Sequence, residues 1–346
     1  MFLKIKKKVN NELKGYAADI RNKHSLRKIS PLLYDNIKEF VSREGKRVRP
    51  ILFIMGYMGY ARKAPKGLYR AAVSLELLHD FMLVHDDIID RSSTRRGKPS
   101  MHAMLNHSLA EYKNIKFTGE DLAIVLGDVL YAMAIHSFLS VKEELLRKES
   151  ALKKLVEAAF LTGSGEFIEL LAGAKDIARI TRNDIYKIYD LKTSNYTFAA
   201  PLTIGATLAG AKKEETDKLY EFGISLGRAF QIKDDMIGIF SSSRVIGKSI
   251  LTDLKESKKT ILIWHAYNHA DKKGKLAIRK ILSKDTAGLK DLSAIRRILK
   301  GSGTPDFARE EINILLDKAL AINSSTRMRP EYKKCIADYS RQVLKI

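Results

Sequence analysis

The run LVHDDIIDRSSTRRGKP, Leu83 to Pro99, places three aspartates in an apolar stretch and two arginines just beyond them. Residues four apart share a helix face, so Asp86 and Asp90 point the same way, and Asp87 is turned about 100° aside. Two bare carboxylates on one buried face would repel until one held its proton. A divalent cation removes that conflict. All-oxygen ligands with positions left for water or phosphate describe magnesium. A second acidic pair, Asp234 and Asp235, sits in another apolar run, AFQIKDDMIGIF.

Basic residues recur in four places. They are Lys46 and Arg49 in GKRVRP, Arg95 and Arg96 in RRG, Lys192 beside Thr193 in DLKTSNYTF, and Lys248, Lys258 and Lys259 in GKSILTDLKESKKT. Each alone is an ordinary surface cation. Beside two magnesium-type carboxylate sets they share a purpose, to cradle phosphates while metal bridges from the acidic side. On this reading a polyphosphate lies between the two arginines and the aspartates. Lys46 and Arg49 are expected on one side of a helix that Pro50 helps to start. His85 lies off the Asp86–Asp90 face and reads as a packed ring. His265 and His269 have the spacing of a zinc pair, but no HExxH motif or nearby cysteine accompanies them. Without GxSxG, CxxC or a P-loop, nothing points to a protein nucleophile.

The elements that position these groups read as helices. The seven prolines leave two windows of about a hundred residues empty, and helix interiors exclude proline. Val73, Leu77, Phe81, Val84 and Ile88 recur at steps of three and four, with Leu75, Leu78 and Met82 on a second side. The expected class is all-α, one large bundle. Breaks are expected at 43–50, 59–67, 92–100 and 240–249. The apolar run Leu122–Leu139 carries Asp128 and His136 and is expected to lie buried in protein rather than span a bilayer. The C-terminal third reads as helical and more solvated.

The 346 residues, 45% hydrophobic and 29% charged, are ample for a core. One cysteine, Cys335, permits no internal disulfide and suits a reducing cytoplasm. The lysine-rich start is followed by no apolar run, so no secretory signal is read. A net charge of +22 suits anionic partners. Basic residues are spread along the chain without aromatic interleaving, which argues against nucleic acid; membrane contact is expected to be peripheral at most.

From GKRVRP to KKT, through DDIID with its trailing RRGKP, GDVLYA, LKT and FQIKDD followed by GKS, the chain resembles the trans-isoprenyl diphosphate synthases, the polyprenyl synthetase family. The resemblance implies the isoprenoid synthase fold as one domain over 1–346 with a central active-site cavity, and a homodimer. It also implies up to three magnesium ions, two on Asp86 and Asp90 in the motif that holds Asp87, and a third on Asp234 with Asp235 in support. Arg95, Lys192, Lys248 and Lys258 match positions that hold an allylic diphosphate. Lys46, Arg49, His79 and Arg96 match the isopentenyl diphosphate pocket. Thr193 and Gln231 match groups whose oxygens steady a carbocation. Two departures stand out: Gly238 where many relatives have a third aspartate, and Glu166 where relatives often have glutamine.

In this family the residues before the first motif form the pocket floor. Phe81 and Met82 stand fifth and fourth before Asp86, with no insertion in the motif. That pattern resembles short-chain geranylgeranyl diphosphate synthases and implies a C20 product, with C15, the farnesyl product, as the alternative. A terpene cyclase would need no isopentenyl diphosphate pocket, so GKRVRP and RRG argue against one. A non-catalytic regulatory subunit would tend to lose the acidic motifs.

Overall fold

Side-chain caps open some of the helices, among them Ser30 before Pro31, Thr260 before Ile261 and Asp271 before Lys272. The structure, a computed structural model, describes residues 1–95, 97–240, 254, 256–284 and 286–345. Helices α1 (Phe2–Lys23), α2 (Leu26–Ile29), α3 (Pro31–Ser42), α4 (Val48–Tyr60) and α5 (Leu68–Ile89) come first. A two-residue ribbon follows, β1 (Thr94–Arg95) antiparallel to β2 (Lys98–Pro99), and then α6 (Met101–Leu109), α7 (Gly119–Phe138) and α8 (Leu145–Ala174). After α9 (Arg182–Tyr189) comes a widened turn region, Asp190–Ala199, then α10 (Ala200–Leu208) and α11 (Lys213–Phe240). The rest is α12 (Ile261–His269), α13 (Lys272–Leu282), α14 (Leu289–Gly301), α15 (Thr304–Ser325) and α16 (Pro330–Leu344). Thr118 with Asp121 opens α7 and Thr181 with Asp184 opens α9, each as a reciprocal capping box.

The all-α class expected from proline and periodicity holds. The first two expected breaks meet the gaps either side of α4 but overlap it at 48–50 and 59–60, and 92–100 holds the β1–β2 ribbon between α5 and α6; residues 241–249 of the fourth lie outside the described residues. The chain forms two compact units, one of residues 1–155 with 201–212, the other of residues 156–200 with 213–346.

In the first unit α5 packs on α4 and α7. Gly127 of α7 lies so close to the His85 ring that a methyl there would collide with it. The expectation for Leu122–Leu139 needs correction. Ala123, Leu126, Leu130, Ala134 and Phe138 are buried, whereas Ile124, Val125 and Leu139 are exposed. A run apolar on all sides reads as buried, but here only one side faces the unit. Among the described residues α7 alone is long and apolar enough to cross a membrane.

In the second unit α11 packs against Asp190–Ala199 and α15. The Asp190–Ala199 region closes i→i−5 hydrogen bonds, such as Ala200 N–H to the Asn195 carbonyl, so its coil is wider than an α-helix. Gly165 and Gly227 accommodate that width. A Cβ on Gly165 would sit 2.7 Å from the Lys192 nitrogen, and one on Gly227 would run into Ser194.

Candidate active site

Helix α5 delivers the first acidic group. Asp86 and Asp90, both half-buried, bring carboxylate oxygens within 4.8 Å of each other. That is a pair of hard oxygen donors on one face, a donor set suited to magnesium. Asp87 is fully buried and serves differently: Arg95 Nε donates to its Oδ1 at 2.7 Å, and Arg95 Nη2 donates to it as well. The same Nη2 reaches Asp86 Oδ2 at 2.9 Å. Burial alone would lower the Arg95 pKa, and its contacts with Asp87 and then Asp86 outweigh that and raise it. The expected separation of Arg95 from the aspartates is therefore corrected, because the β1 turn brings the guanidinium into direct contact with them. Arg96 lies outside the described residues.

The GKRVRP loop is also positioned by buried charge. Arg47 takes a left-handed backbone (φ 55°) and is buried. Its guanidinium pairs with Glu76 of α5 at 2.5 Å and donates to Asn10 and to the Arg43 carbonyl. Arg43 is buried too, bonded to Glu39 and to the Pro99 carbonyl of β2 at 2.9 Å. The GKRVRP and RRGKP runs are thus tied together. The left-handed residue corrects the placement of Lys46, which is exposed and precedes α4 instead of sharing a helix face with Arg49. Arg49 is half-buried in the first turn of α4. His79 is half-buried on α5, two turns before Asp86.

One turn before the aspartates, Phe81 forms an aromatic cluster. Its ring centroid is 4.7 Å from that of His85 and 5.3 Å from that of Tyr131 on α7. His85 is indeed a packed ring, and Met82 is half-buried beside the cluster in sequence. Tyr131 went unnoticed in the sequence, although it lies four residues after Gly127, one turn along the face of α7 that meets α5.

The second unit holds a further group of polar residues. Lys192, in the widened region, pairs with both Glu166 and Glu169 of α8 at 2.5 Å. The unusual Glu166 thus has a structural partner. Thr193 Oγ1 donates to Gln231 Oε1 at 2.8 Å, and Gln231 Nε2 donates to Asp235 Oδ1 at 2.8 Å. Asp235 is buried and also accepts from the Tyr189 hydroxyl, which in turn accepts from the Ile261 N–H at 3.0 Å. Burial, then the Asp235 charge, holds the Tyr189 pKa well above its ordinary value. Asp234, on the other side of α11, is exposed. Gly238 lies one turn further along α11.

Of the last basic run, Lys258 pairs with Glu256 at 2.6 Å. Lys259 is buried, donating to the Gly173 and Ser257 carbonyls at 3.0 and 2.8 Å, and burial lowers its pKa. It anchors backbone and is removed from the expected phosphate cradle. Lys248 lies outside the described residues.

Comparison with known proteins places these groups in a family. The family model "Polyprenyl synthetase" matches residues 30–299. A geranylgeranyl diphosphate synthase from Methanosarcina mazei is 31% identical over 277 residues, 80% of this chain and 78% of the relative. A geranylfarnesyl diphosphate synthase from Aeropyrum pernix is 32% identical over 289 residues, 81% of this chain and 83% of the relative. The crystal structure of a geranylgeranyl pyrophosphate synthase from Corynebacterium glutamicum, complexed with isoprenyl diphosphate and magnesium, is 24% identical. It matches with a TM-score of 0.89 over 99% of this chain and 98% of that one, which establishes the isoprenoid synthase fold. The chain belongs to the polyprenyl synthetase family and is a trans-prenyltransferase.

Proposed function

We propose that this prenyltransferase condenses isopentenyl diphosphate with allylic diphosphates of five to fifteen carbons and releases the C20 product, geranylgeranyl diphosphate. The observation that carries the C20 reading is the Phe81–Tyr131–His85 cluster, with Phe81 on α5 five residues before Asp86. An aromatic floor there would stop a chain growing along α5, whereas a small side chain would let it pass. The names of relatives with both C20 and C25 products frame the alternatives to C15.

Asp86 and Asp90 would hold magnesium, with Asp234 as the donor of the second acidic motif. The ion, when bound, supplies positive charge to the departing diphosphate. Lys192, Arg95, Lys248 and Lys258 would hold the allylic diphosphate; Lys46, Arg49, His79 and Arg96 would hold the isopentenyl diphosphate. Breaking the allylic C–O bond leaves a delocalised carbocation, the isopentenyl double bond attacks it, and the released diphosphate takes the proton. The Thr193 proton is directed at Gln231, so its remaining lone pairs are available to face positive charge. Asp235, tied to Tyr189 and Gln231, would fix this part of α11. Homodimer formation is supported by the large apolar residues exposed on α8, Phe160, Phe167, Leu170 and Leu171. Cytoplasmic location completes the reading.

The test is product analysis with magnesium, labelled isopentenyl diphosphate and C5, C10 or C15 starters. A C20 alcohol after dephosphorylation, lost on adding EDTA, is expected. In Phe81→Ala the product should lengthen; a C20 product from that variant sinks the floor assignment, and C15 or C25 from the wild type sinks the C20 reading.

A further inference from the structure

We infer that the exposed face of α1 docks on an anionic lipid bilayer. The inference stands apart from the product length and from the reaction. Over Phe2–Lys23, Lys4, Lys7, Lys8, Lys14 and Arg21 are all exposed, and their helical spacing puts them on one side. Two half-buried acids, Glu12 and Asp19, border that side next to Lys8. The two acids of α1, Glu12 and Asp19, are both drawn to Arg70 of α5, which donates to Glu12 at 2.5 Å and to Asp19 at 2.7 Å. The opposite side, Ile5, Val9, Leu13, Tyr16, Ala17 and Ile20, is buried in the unit. With those two acids paired to Arg70, the outward face of the helix carries a net positive charge. A solvated helix face ordinarily mixes its signs, as α8 does with Glu149 and Lys153.

The apolar residues beside this face favour lipid over nucleic acid. Leu3, at the flank of the basic stripe, is 79% exposed, and Ile29 of α2, beside exposed Arg27 and Lys28, is 72% exposed. α2 packs against α1. Cations reach headgroup phosphates while isolated aliphatic side chains enter the acyl boundary, the arrangement of an interfacial helix. A phosphate backbone gives an exposed leucine or isoleucine beside it no apolar phase, whereas the acyl boundary does.

Co-sedimentation of the full chain with vesicles tests this. Binding is expected to vesicles with 30% phosphatidylglycerol and not to pure phosphatidylcholine, and it should weaken with salt. Replacing Lys4, Lys7 and Lys14 together by glutamine should weaken binding about 100-fold, from roughly fivefold per lysine near an anionic surface. Leu3→Ser should lower the part of binding that survives high salt. Replacing the exposed Lys272, Lys273 and Lys280 of α13 by glutamine removes the same charge elsewhere, and should leave most of the affinity. Circular dichroism and melting check that both triple variants fold. Equal losses in the two triple variants would overturn the assignment to α1. So would failure of the wild type to bind anionic vesicles, or displacement of vesicles by a 20-nucleotide RNA that binds the same face more tightly.

Discussion

Arg95 and Asp87, eight residues apart across the end of α5, form a buried ion pair in which two guanidinium nitrogens share one carboxylate oxygen. Removing one partner strands the other charge in the interior, at a cost of about 3–5 kcal/mol. Arg95→Ala is expected to lower stability by that amount, and Asp87→Asn by somewhat less because an amide oxygen can still accept. Denaturant titration measures it. The double variant Asp87→Asn/Arg95→Met should recover much of the loss; a strictly additive double variant would show that the two do not act as a pair.

Tyr189 and Asp234 should separate structure from chemistry. Tyr189→Phe deprives buried Asp235 and the Ile261 N–H of a partner, and about 1–3 kcal/mol of stability should go with it. Asp234→Ala, at an exposed position, should change stability by no more than about 0.5 kcal/mol. Its turnover should nevertheless fall by at least about 100-fold, the share expected of a transition-state charge stabiliser. Normal turnover in Asp234→Ala would remove it from the proposed metal group.

The aspartate motif was legible because its chemistry is local: four-residue spacing alone brings Asp86 and Asp90 to one face. Long-range partners were not. Nothing in GKRVRP signals that the charge of Arg47 is taken into the interior by Glu76, 29 residues on. Its left-handed backbone also moves Lys46 off the helix, which no propensity predicts. Tyr189 is 46 residues from Asp235 and has no sequence signature. The contact of Arg95 with Asp86 and Asp87 is not legible in the sequence, since a two-residue ribbon leaves little periodicity to read.

His265 gives the fold a pH dependence of known sign. Its ring is stacked between those of His269 and Phe307, each centroid 4.0 Å away, and its Nδ1 lies 2.9 Å from Thr304 Oγ1. Burial, then the nearby His269, lowers its pKa to about 4. An unfolded histidine takes up its proton near pH 6.5. Between these values the unfolded chain binds a proton the native one does not, so this contribution is whole above pH 6.5 and is lost as pH falls toward 4. The melting temperature of His265→Gln should therefore fall less than that of the wild type between pH 7 and 4.5. Parallel curves would rule the histidine out.

Lys192 sits between two carboxylates that compete with any phosphate for its charge. Glu166→Gln and Glu169→Gln each remove one competitor at 2.5 Å. Each should lower KM for the allylic diphosphate several-fold, and the pair together should do so more than either alone. Unchanged KM in both would show that Lys192 belongs to α8 and not to substrate.

Two glycine-to-alanine substitutions should move stability in opposite directions. At Gly227 the added methyl would run into the Cα and Cβ of Ser194, next to Thr193 in the widened region. Backbone on both sides leaves no soft neighbour to yield, so Gly227→Ala should cost about 1–3 kcal/mol or more. It should also lower turnover by shifting Thr193 relative to Gln231. At Gly163, on the exposed side of α8, nothing lies within 4 Å of the new methyl. Within one protomer the gain in helix propensity and the smaller entropy of the unfolded chain act alone, and Gly163→Ala should add about 0.5–1 kcal/mol to protomer stability, although Phe160 and Phe167 on the same face are those proposed for the dimer. Thermal melts of the two variants read both signs directly. A neutral Gly227→Ala would mean that the i→i−5 coil can relax away from α11, and the width of Asp190–Ala199 would then not be fixed by the glycines that face it.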